Sequence, residues 1–316
     1  MSLFYGIESQ VVQSLLMVLL APLFLGWVNQ CRAWLQNRSG AGLLQPYRAL
    51  RKLSHKDKIL AHQASPLFRV TPYIFFGCMG LAAGIVPVLA TDLPFAPAAD
   101  VIALVGIFAL ARVFMSLAAM DVGTAFGTMG ARREMFVASL AEPALLMVFF
   151  TASLISHSTS LTTIVETLAH KHFVFYPSMA FAAVAFTMIL LAENARIPVD
   201  NPATHLELTM IHEAMILEYS ARHLALIEWA GGIKLLLYIT IGIALFMPWG
   251  IAEAGNWAAL PLALGALLFK LFLVGLGLAL LESLSAKLRI FRVPEFLGTA
   301  YLLAMLGLLM HYLLEV

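Results

Sequence analysis

The chain has 316 residues, 61% of them hydrophobic and only 12% charged, with a formal net charge of +1 and a mean hydropathy of +0.90. A soluble globular protein carries roughly 25% charged residues, so that class is excluded, as is disorder, which needs an apolar-poor, charge-rich chain. Net charge points to no polyanionic partner, and Cys31 and Cys78 lack any Cys-x-x-Cys spacing, so no disulfide framework, zinc site or iron–sulfur ligation is expected.

A helix needs about 20 apolar residues to cross the ~30 Å hydrocarbon layer. Eight stretches meet this in chain order, approximately residues 9–29, 71–91, 101–120, 136–156, 173–193, 231–252, 257–281 and 296–314. The third, sixth and seventh carry one cation each, Arg112, Lys234 and Lys270. The first lacks a basic n-region and its apolar run continues through residues 23–27, so it reads as a membrane helix rather than a cleavable signal. No internal repeat or linker interrupts the pattern. The expected fold is an all-α integral membrane protein, one polytopic domain over residues 1–316 with about eight transmembrane helices and long loops on one side.

The loops alternate in charge. The segment 29–69 holds eight cations (Arg32, Arg38, Arg48, Arg51, Lys52, Lys56, Lys58 and Arg69), whereas the loop at Asp92 and Asp100 holds none. Arg132 and Arg133 follow, then only Lys171, then Arg196 and Arg222, none in 250–256, and finally Lys287, Arg289 and Arg292. By the positive-inside rule the odd-numbered loops face the cytoplasm and both termini lie outside. A basic run at 48–58 beside membrane spans reads as this signal, helped by anionic lipid, rather than as a nucleic-acid site.

Ionisable groups in hydrocarbon cost roughly 2.5–3.5 kcal/mol each and need a reason. For Lys234, Lys270 and Glu282, near span ends, pairing or snorkelling suffices. For Arg112 in mid-span, and for Glu142, read as opening the fourth span, a functional role is favoured. Both lie beside a glycine-rich loop, residues 121–134, that is expected to fold against the protein. The segment 192–229 is the most informative. Asp200-Asn201-Pro202 reads as a helix start, and the helical pattern continues from Ala203 to about Ile227. Glu207 and Glu218, about three turns apart, would share one face. Carboxylates on a membrane-apposed face are expected to exchange protons near neutral pH, against the alternative of a solvated acidic face.

Several chemistries fail on spacing. His212-Glu213 begins a His-Glu-x-x-His pattern, but Ile216 occupies the second ligand position. His170 and His172 are two imidazoles without a third ligand. There is no Walker A loop and no dinucleotide fingerprint.

Four blocks carry a family likeness. They are Asn37-Arg38-Ser39-Gly40-Ala41-Gly42-Leu43-Leu44-Gln45-Pro46-Tyr47; Phe68-Arg69-Val70-Thr71-Pro72; the stretch from Gly130-Ala131-Arg132 to Glu142-Pro143; and Ala192-Glu193-Asn194-Ala195-Arg196-Ile197-Pro198-Val199-Asp200 with Glu207-Leu208 and Glu218-Tyr219-Ser220. In this order, and with eight spans, the chain resembles the membrane subunit shared by respiratory complex I (its subunit 1) and the group 4 nickel–iron hydrogenases of the formate hydrogenlyase and hydrogenase-4 type.

The resemblance implies a non-catalytic membrane subunit of an oxidoreductase complex in a bacterial or archaeal inner membrane. It implies a proton path through Glu142, Glu193, Asp200, Glu207 and Glu218, with Arg112, Arg132 and Arg196 as cationic partners. It implies that Arg38, Gly40, Gly42, Gln45, Lys52 and Arg69 dock the redox arm. Partners would be hydrogenase large and small (iron–sulfur) subunits on the cytoplasmic side, antiporter-like membrane subunits and lipid, with no nucleic acid. No cofactor or metal would be bound by this chain. The complex would hold iron–sulfur clusters, and a [NiFe] centre where the large subunit keeps its nickel-binding cysteines.

Departures from the family pattern are Gly40-Ala41-Gly42 in place of Gly-Pro-Gly, Ala49 where Asp is usual, and the 205–217 stretch. The last favours the hydrogenase branch over the alternative, the quinone-binding membrane subunit of an NADH–quinone oxidoreductase. A stand-alone secondary transporter, the rival from another class, lacks paired repeats and matched broken helices.

Overall fold

The computed structural model describes residues 2–89, 99–170, 176–200, 210–252 and 260–315. Among them the chain forms α1 (Ser2–Leu35), α2 (Gln45–Ser54), α3 (Pro66–Ile85), α4 (Val101–Asp121), α5 (Ala125–Ser156), α6 (Leu161–His170), α7 (Pro177–Glu193), α8 (His212–Ile216), α9 (Ala221–Phe246), α10 (Leu260–Leu284) and α11 (Val293–Met310). The described residues contain no strand, only an isolated bridge between Asp100 and Ser160. The chain is an all-α membrane protein. Seven helices (α1, α3, α4, α5, α9, α10 and α11) are long and apolar enough to cross a bilayer, and α7 is a shorter apolar helix of 17 residues.

Helix starts follow local chemistry. Ser65 accepts a hydrogen bond from Leu67 N at 3.1 Å, with Pro66 next in the first turn. Asp100 accepts from Ile102 N at 2.7 Å, and Thr159 donates its hydroxyl to the same carboxylate at 2.7 Å. The Thr159 bond holds the Asp100 carboxyl below its ordinary range against the opposing effect of burial. Thr124 accepts from Gly127 N at 3.3 Å and opens α5. Each cap satisfies donors that a helix leaves open in its first turn.

Two prolines inside helices organise the packing around α9. Proline has no N–H, so it frees the carbonyl four residues back. Pro22 in α1 frees Val18 O, which accepts from Trp229 Nε1 at 2.9 Å. Pro72 in α3 frees Phe68 O, which accepts from the Tyr219 hydroxyl at 3.1 Å. The Tyr219 and Phe68 rings also stack, 3.9 Å between centroids. Burial, and then the nearby Asp121 carboxylate, push the Tyr219 hydroxyl well above its ordinary value, so it stays a donor. Tyr219→Phe is expected to lower stability by about 1–3 kcal/mol, the cost of an unpaired buried carbonyl. The check is the melting temperature of the solubilised protein.

The centre of the bundle is α9. Buried residues make up 78% of its membrane window, against 33% for α10 and 22% for α11, which therefore lie at the periphery. Small residues permit the closest approaches. At Gly307 of α11 a Cβ would come within 2.9 Å of Ser178 O in α7, and at Gly232 of α9 within 2.8 Å of Leu25 in α1. The described parts of the connections 36–65, 194–220 and 285–292, which carry Lys or Arg, gather with 122–124 at one end of the bundle, called here the basic end: Ser65 N donates to Asp121, the Ser220 hydroxyl to Ile59 O, and Leu288 N to Pro198 O.

Three expectations need correction. The glycine-rich loop is mostly helix, because Thr124 caps α5 at Ala125; Glu142 therefore lies well inside α5 rather than at its start. Its glycines serve close packing, since a Cβ on Gly127 would collide with Ala119 O and one on Gly130 would meet Ile211 O at 2.8 Å. Nor is there a continuous helix through 203–227. Residues 217–220 separate α8 from α9, and Ala221 has φ +50°. Tertiary bonds hold this break: Tyr219 is held by Phe68, and the Ser220 hydroxyl donates to Ile59 O at 2.6 Å and accepts from Ile59 N at 3.0 Å.

Candidate functional site

Four helices bring their ionisable residues to one buried point near the basic end. Arg112 from α4 is 6% exposed and reaches three carboxylates with three different nitrogens. Its Nη2 bonds Glu193 Oε2 of α7 at 2.5 Å, its Nη1 bonds Glu142 Oε1 of α5 at 2.8 Å, and its Nε lies 3.7 Å from Glu134 Oε1 of α5. Glu134 and Glu142 are eight residues apart, about two turns, so α5 presents both on one face. From α9, Lys234 pairs with Glu193 Oε2 at 3.1 Å and donates to the Glu193 carbonyl at 2.6 Å, closing the C-terminal end of α7. The buried hydroxyl of Tyr238, one turn further along α9, faces Glu193.

Three carboxylates meet two cations here. With every group ionised the cluster carries one surplus negative charge, and one added proton neutralises it. Access is uneven: the Glu142 side chain is 32% exposed, while that of Glu193 is 2% exposed. Glu142 is the most exposed carboxylate of the cluster.

A second group of charges sits closer to the basic end. The Glu282 carboxylate at the end of α10 accepts from Arg196 Nη1 at 3.1 Å and lies 3.5 Å from Arg32 Nη1 of α1. Asp200 is buried, 3.6 Å from Lys287 Nζ, and accepts from Ile211 N and His212 N at 3.3 and 3.2 Å. It thus ties the end of the α7 connection to the start of α8.

The sequence-selected residues therefore divide. Arg112, Glu142 and Glu193 meet. Arg196 is paired with Glu282 and not with the Arg112 cluster. Asp200 meets Lys287 and backbone. Arg132 is exposed on α5, and among the described residues it forms no ion pair with the cluster acids. Glu218 is exposed in the break between α8 and α9, which contradicts its expected place on a shared helix face. Glu207 and His172 lie outside the described residues. The sequence leaves Glu134 within a loop and gives Lys234 only pairing or snorkelling, with no place in the site. Glu134's position eight residues before Glu142 was the available signal.

The 36–44 connection is shaped by glycine and Gln30. Gly42 has φ +93° and donates its N–H to Gln30 Oε1 at 3.2 Å; a Cβ on Gly40 would strike the Gln30 side chain. This sets α2 beside α1 with Arg38, Gln45, Arg48, Lys52 and, nearby, Arg69 exposed. Large apolar side chains share that end: Trp34 is 58% exposed and Ile59 77%. Cys31 and Cys78 are buried, and among the described residues no three His, Cys, Asp or Glu side chains converge as metal ligands.

Comparison with known proteins gives a consistent placement. The family model described as NADH dehydrogenase matches residues 9–313. Formate hydrogenlyase subunit 4 of Escherichia coli (strain K12) is 31% identical over 297 residues, covering 94% of this chain and 96% of that one. Hydrogenase-4 component C of the same organism is 31% identical over 304 residues, covering 96% and 95%. Among solved structures, a chain of the membrane-bound sulfane sulfur reductase, an archaeal respiratory membrane complex, superposes with a TM-score of 0.76. It is 18% identical, with 96% of this chain and 99% of that chain covered, and so speaks to the fold.

Proposed function

We propose that this chain, which belongs to the NADH dehydrogenase family, is the membrane subunit of a complex I-like, energy-converting hydrogenase. Its basic end faces the cytoplasm and receives an iron–sulfur-bearing arm, with both termini on the other side of an inner membrane. The observation that carries this reading is the buried Arg112 cluster with its one surplus carboxylate charge, set near the end where the exposed cations and apolar side chains lie. The two relatives, one named as a formate hydrogenlyase subunit and one as a hydrogenase-4 component, each matched over nearly its whole length, support the hydrogenase branch.

The physics is electrostatic. An electron arriving on a cluster 8 Å away, in an effective dielectric of about 20, changes the energy of a carboxylate's charge by about 2 kcal/mol. That alters proton occupancy by roughly thirtyfold. Glu142, the most exposed carboxylate of the cluster, takes the proton, and the cluster's surplus charge holds it. Antiporter-like membrane subunits would then receive the displaced charge. The iron–sulfur clusters, and a [NiFe] centre where present, belong to the partner subunits in this reading.

Isolation of the tagged chain from its native membrane in mild detergent tests the assembly. Iron and acid-labile sulfide are expected to co-purify with it. Charge reversal at two exposed positions, Arg38→Glu with Lys52→Glu, is expected to release most of that iron. A chain that purifies alone and iron-free from membranes where the native complex is active would sink the proposal.

A further inference from the structure

Away from the basic end lies a buried cation that the Arg112 cluster does not use. Lys270 of α10 is 3% exposed. Its Nζ donates to the carbonyls of Met247, at 2.7 Å, and Trp249, and lies 4.2 Å from the centroid of the Trp249 ring. The position is inside the span, ten residues or about 15 Å along α10 from Leu260. Arg112, Lys234 and Arg196 each meet a carboxylate. Among the described residues Lys270 meets only neutral groups.

Two independent features surround it. The first is a cavity of about 10 Å³, walled by Lys270, Thr240, Pro87, Val88 and Gly250 among others, with Lys270 its sole titratable lining group among the described residues. That volume is about what one water needs, and the ammonium, the Thr240 hydroxyl and nearby carbonyls provide polar partners. The second is the backbone. Beyond Ile85 and beyond Phe246 the chain leaves helix while still packed inside the protein. Gln13 of α1 donates to Val86 O at 2.9 Å and accepts from Leu89 N at 3.2 Å, and Ala252 N donates to Leu89 O at 3.1 Å. Non-helical backbone at membrane depth is tolerated where protein buries it or where it lines a water-filled cavity. Ionisable groups within spans that face such cavities mark proton relays.

We propose that Lys270 is a proton-exchange site serving the side of the membrane away from the basic end. Its amine takes a proton passed by way of α9 from the Arg112–Glu193–Lys234 cluster, and its ammonium then gives that proton to water through the small cavity. One proton enters and one leaves; no electron moves. From Lys234 to Thr240 α9 advances about 9 Å, with Tyr238 between them. This inference rests on the coupling function proposed above, and it adds an exit within this same chain.

The test compares wild type, Lys270→Arg and Lys270→Met in the whole complex, in inverted membrane vesicles, with a fluorescent pH dye reporting protons moved per electron transferred. Arginine keeps the charge and can keep the carbonyl bonds, but it does not deprotonate. The Arg variant is therefore expected to assemble to wild-type yield on native gels while its proton-to-electron ratio falls about tenfold or more. The Met variant is expected to lose the ratio equally. A wild-type ratio in Lys270→Arg means that the lysine only fastens the end of α9, and the inference is overturned. A wild-type complex that turns over without moving protons overturns the coupling function as well. Loss in Glu142→Gln beside a normal Lys270→Arg overturns the Lys270 role alone.

Discussion

Arg112→Met is expected to remove the folded protein from the membrane almost completely. The substitution keeps much of the side chain's length and apolar stem but leaves Glu193, Glu134 and Glu142 without the cation that spans them. The surplus negative charge rises from one to two in a site where Arg112 and Glu193 are both below 10% exposed. Breaking one buried ion pair by removing a partner costs about 3–5 kcal/mol, which is comparable to the whole stability of many domains. Arg112→Lys is expected to fall between wild type and Met. A single ammonium cannot serve three carboxylates through three separate nitrogens as a guanidinium does. The double variant Arg112→Met with Glu193→Gln returns the surplus to one, and about 2 kcal/mol of the loss is expected to return with it. Membrane yield and melting temperature across these four chains check the ordering. Wild-type yield of Arg112→Met would show that the acids of the cluster are neutral at rest.

The helical pattern was legible because hydrocarbon leaves few alternatives: long charge-free runs become helices, and seven of the helices formed are long and apolar enough to cross a bilayer. What composition does not contain is where those helices stop. The sequence placed the fourth span's start near 136, yet α5 begins at Ala125 because the Thr124 side chain caps it and Gly127 and Gly130 let α4 and the 211–214 segment approach. The break before α9 was equally hidden. Residues 203–227 look helical in isolation, but Tyr219 and Ser220 find partners on Phe68 and Ile59, about 150 residues away in sequence, and those bonds override local propensity.

The site shows the same division. Arg112 and Glu193 could be singled out because each is an expensive charge at or inside a span. Their meeting could not be read from the chain, because it depends on how α4 and α7 are placed around α9. For Lys234 the sequence leaves pairing and snorkelling both open, and its ammonium pairs, turning inward to Glu193. The eleven residues between Glu207 and Glu218 put the two on one helix face only if the helix is unbroken. Without that helix Glu218 is exposed in the break between α8 and α9, apart from the acids that are held by cations.

Glu142→Gln is accordingly expected to separate electron transfer from ion movement while leaving the fold in place. The amide keeps the size of the carboxyl and can still accept from Arg112 Nη1. The remaining charges, Glu134 and Glu193 against Arg112 and Lys234, balance, so the bundle loses no buried compensation. What disappears is the surplus charge that gives a proton a reason to enter, and with it the most exposed carboxylate of the cluster. Ions moved per electron in sealed vesicles are expected to fall about tenfold or more, with assembly on native gels retained. Glu142→Asp, which keeps the charge on a shorter arm, is expected to recover part of the ratio. Glu218→Gln is expected to match wild type, since that side chain is exposed outside the cluster. The contrast separates two physical pictures. If acidity near the basic end were enough, the isolated acid and the cluster acid would matter alike; if coupling needs a carboxylate balanced against buried cations, only the Glu142 substitutions change the ratio.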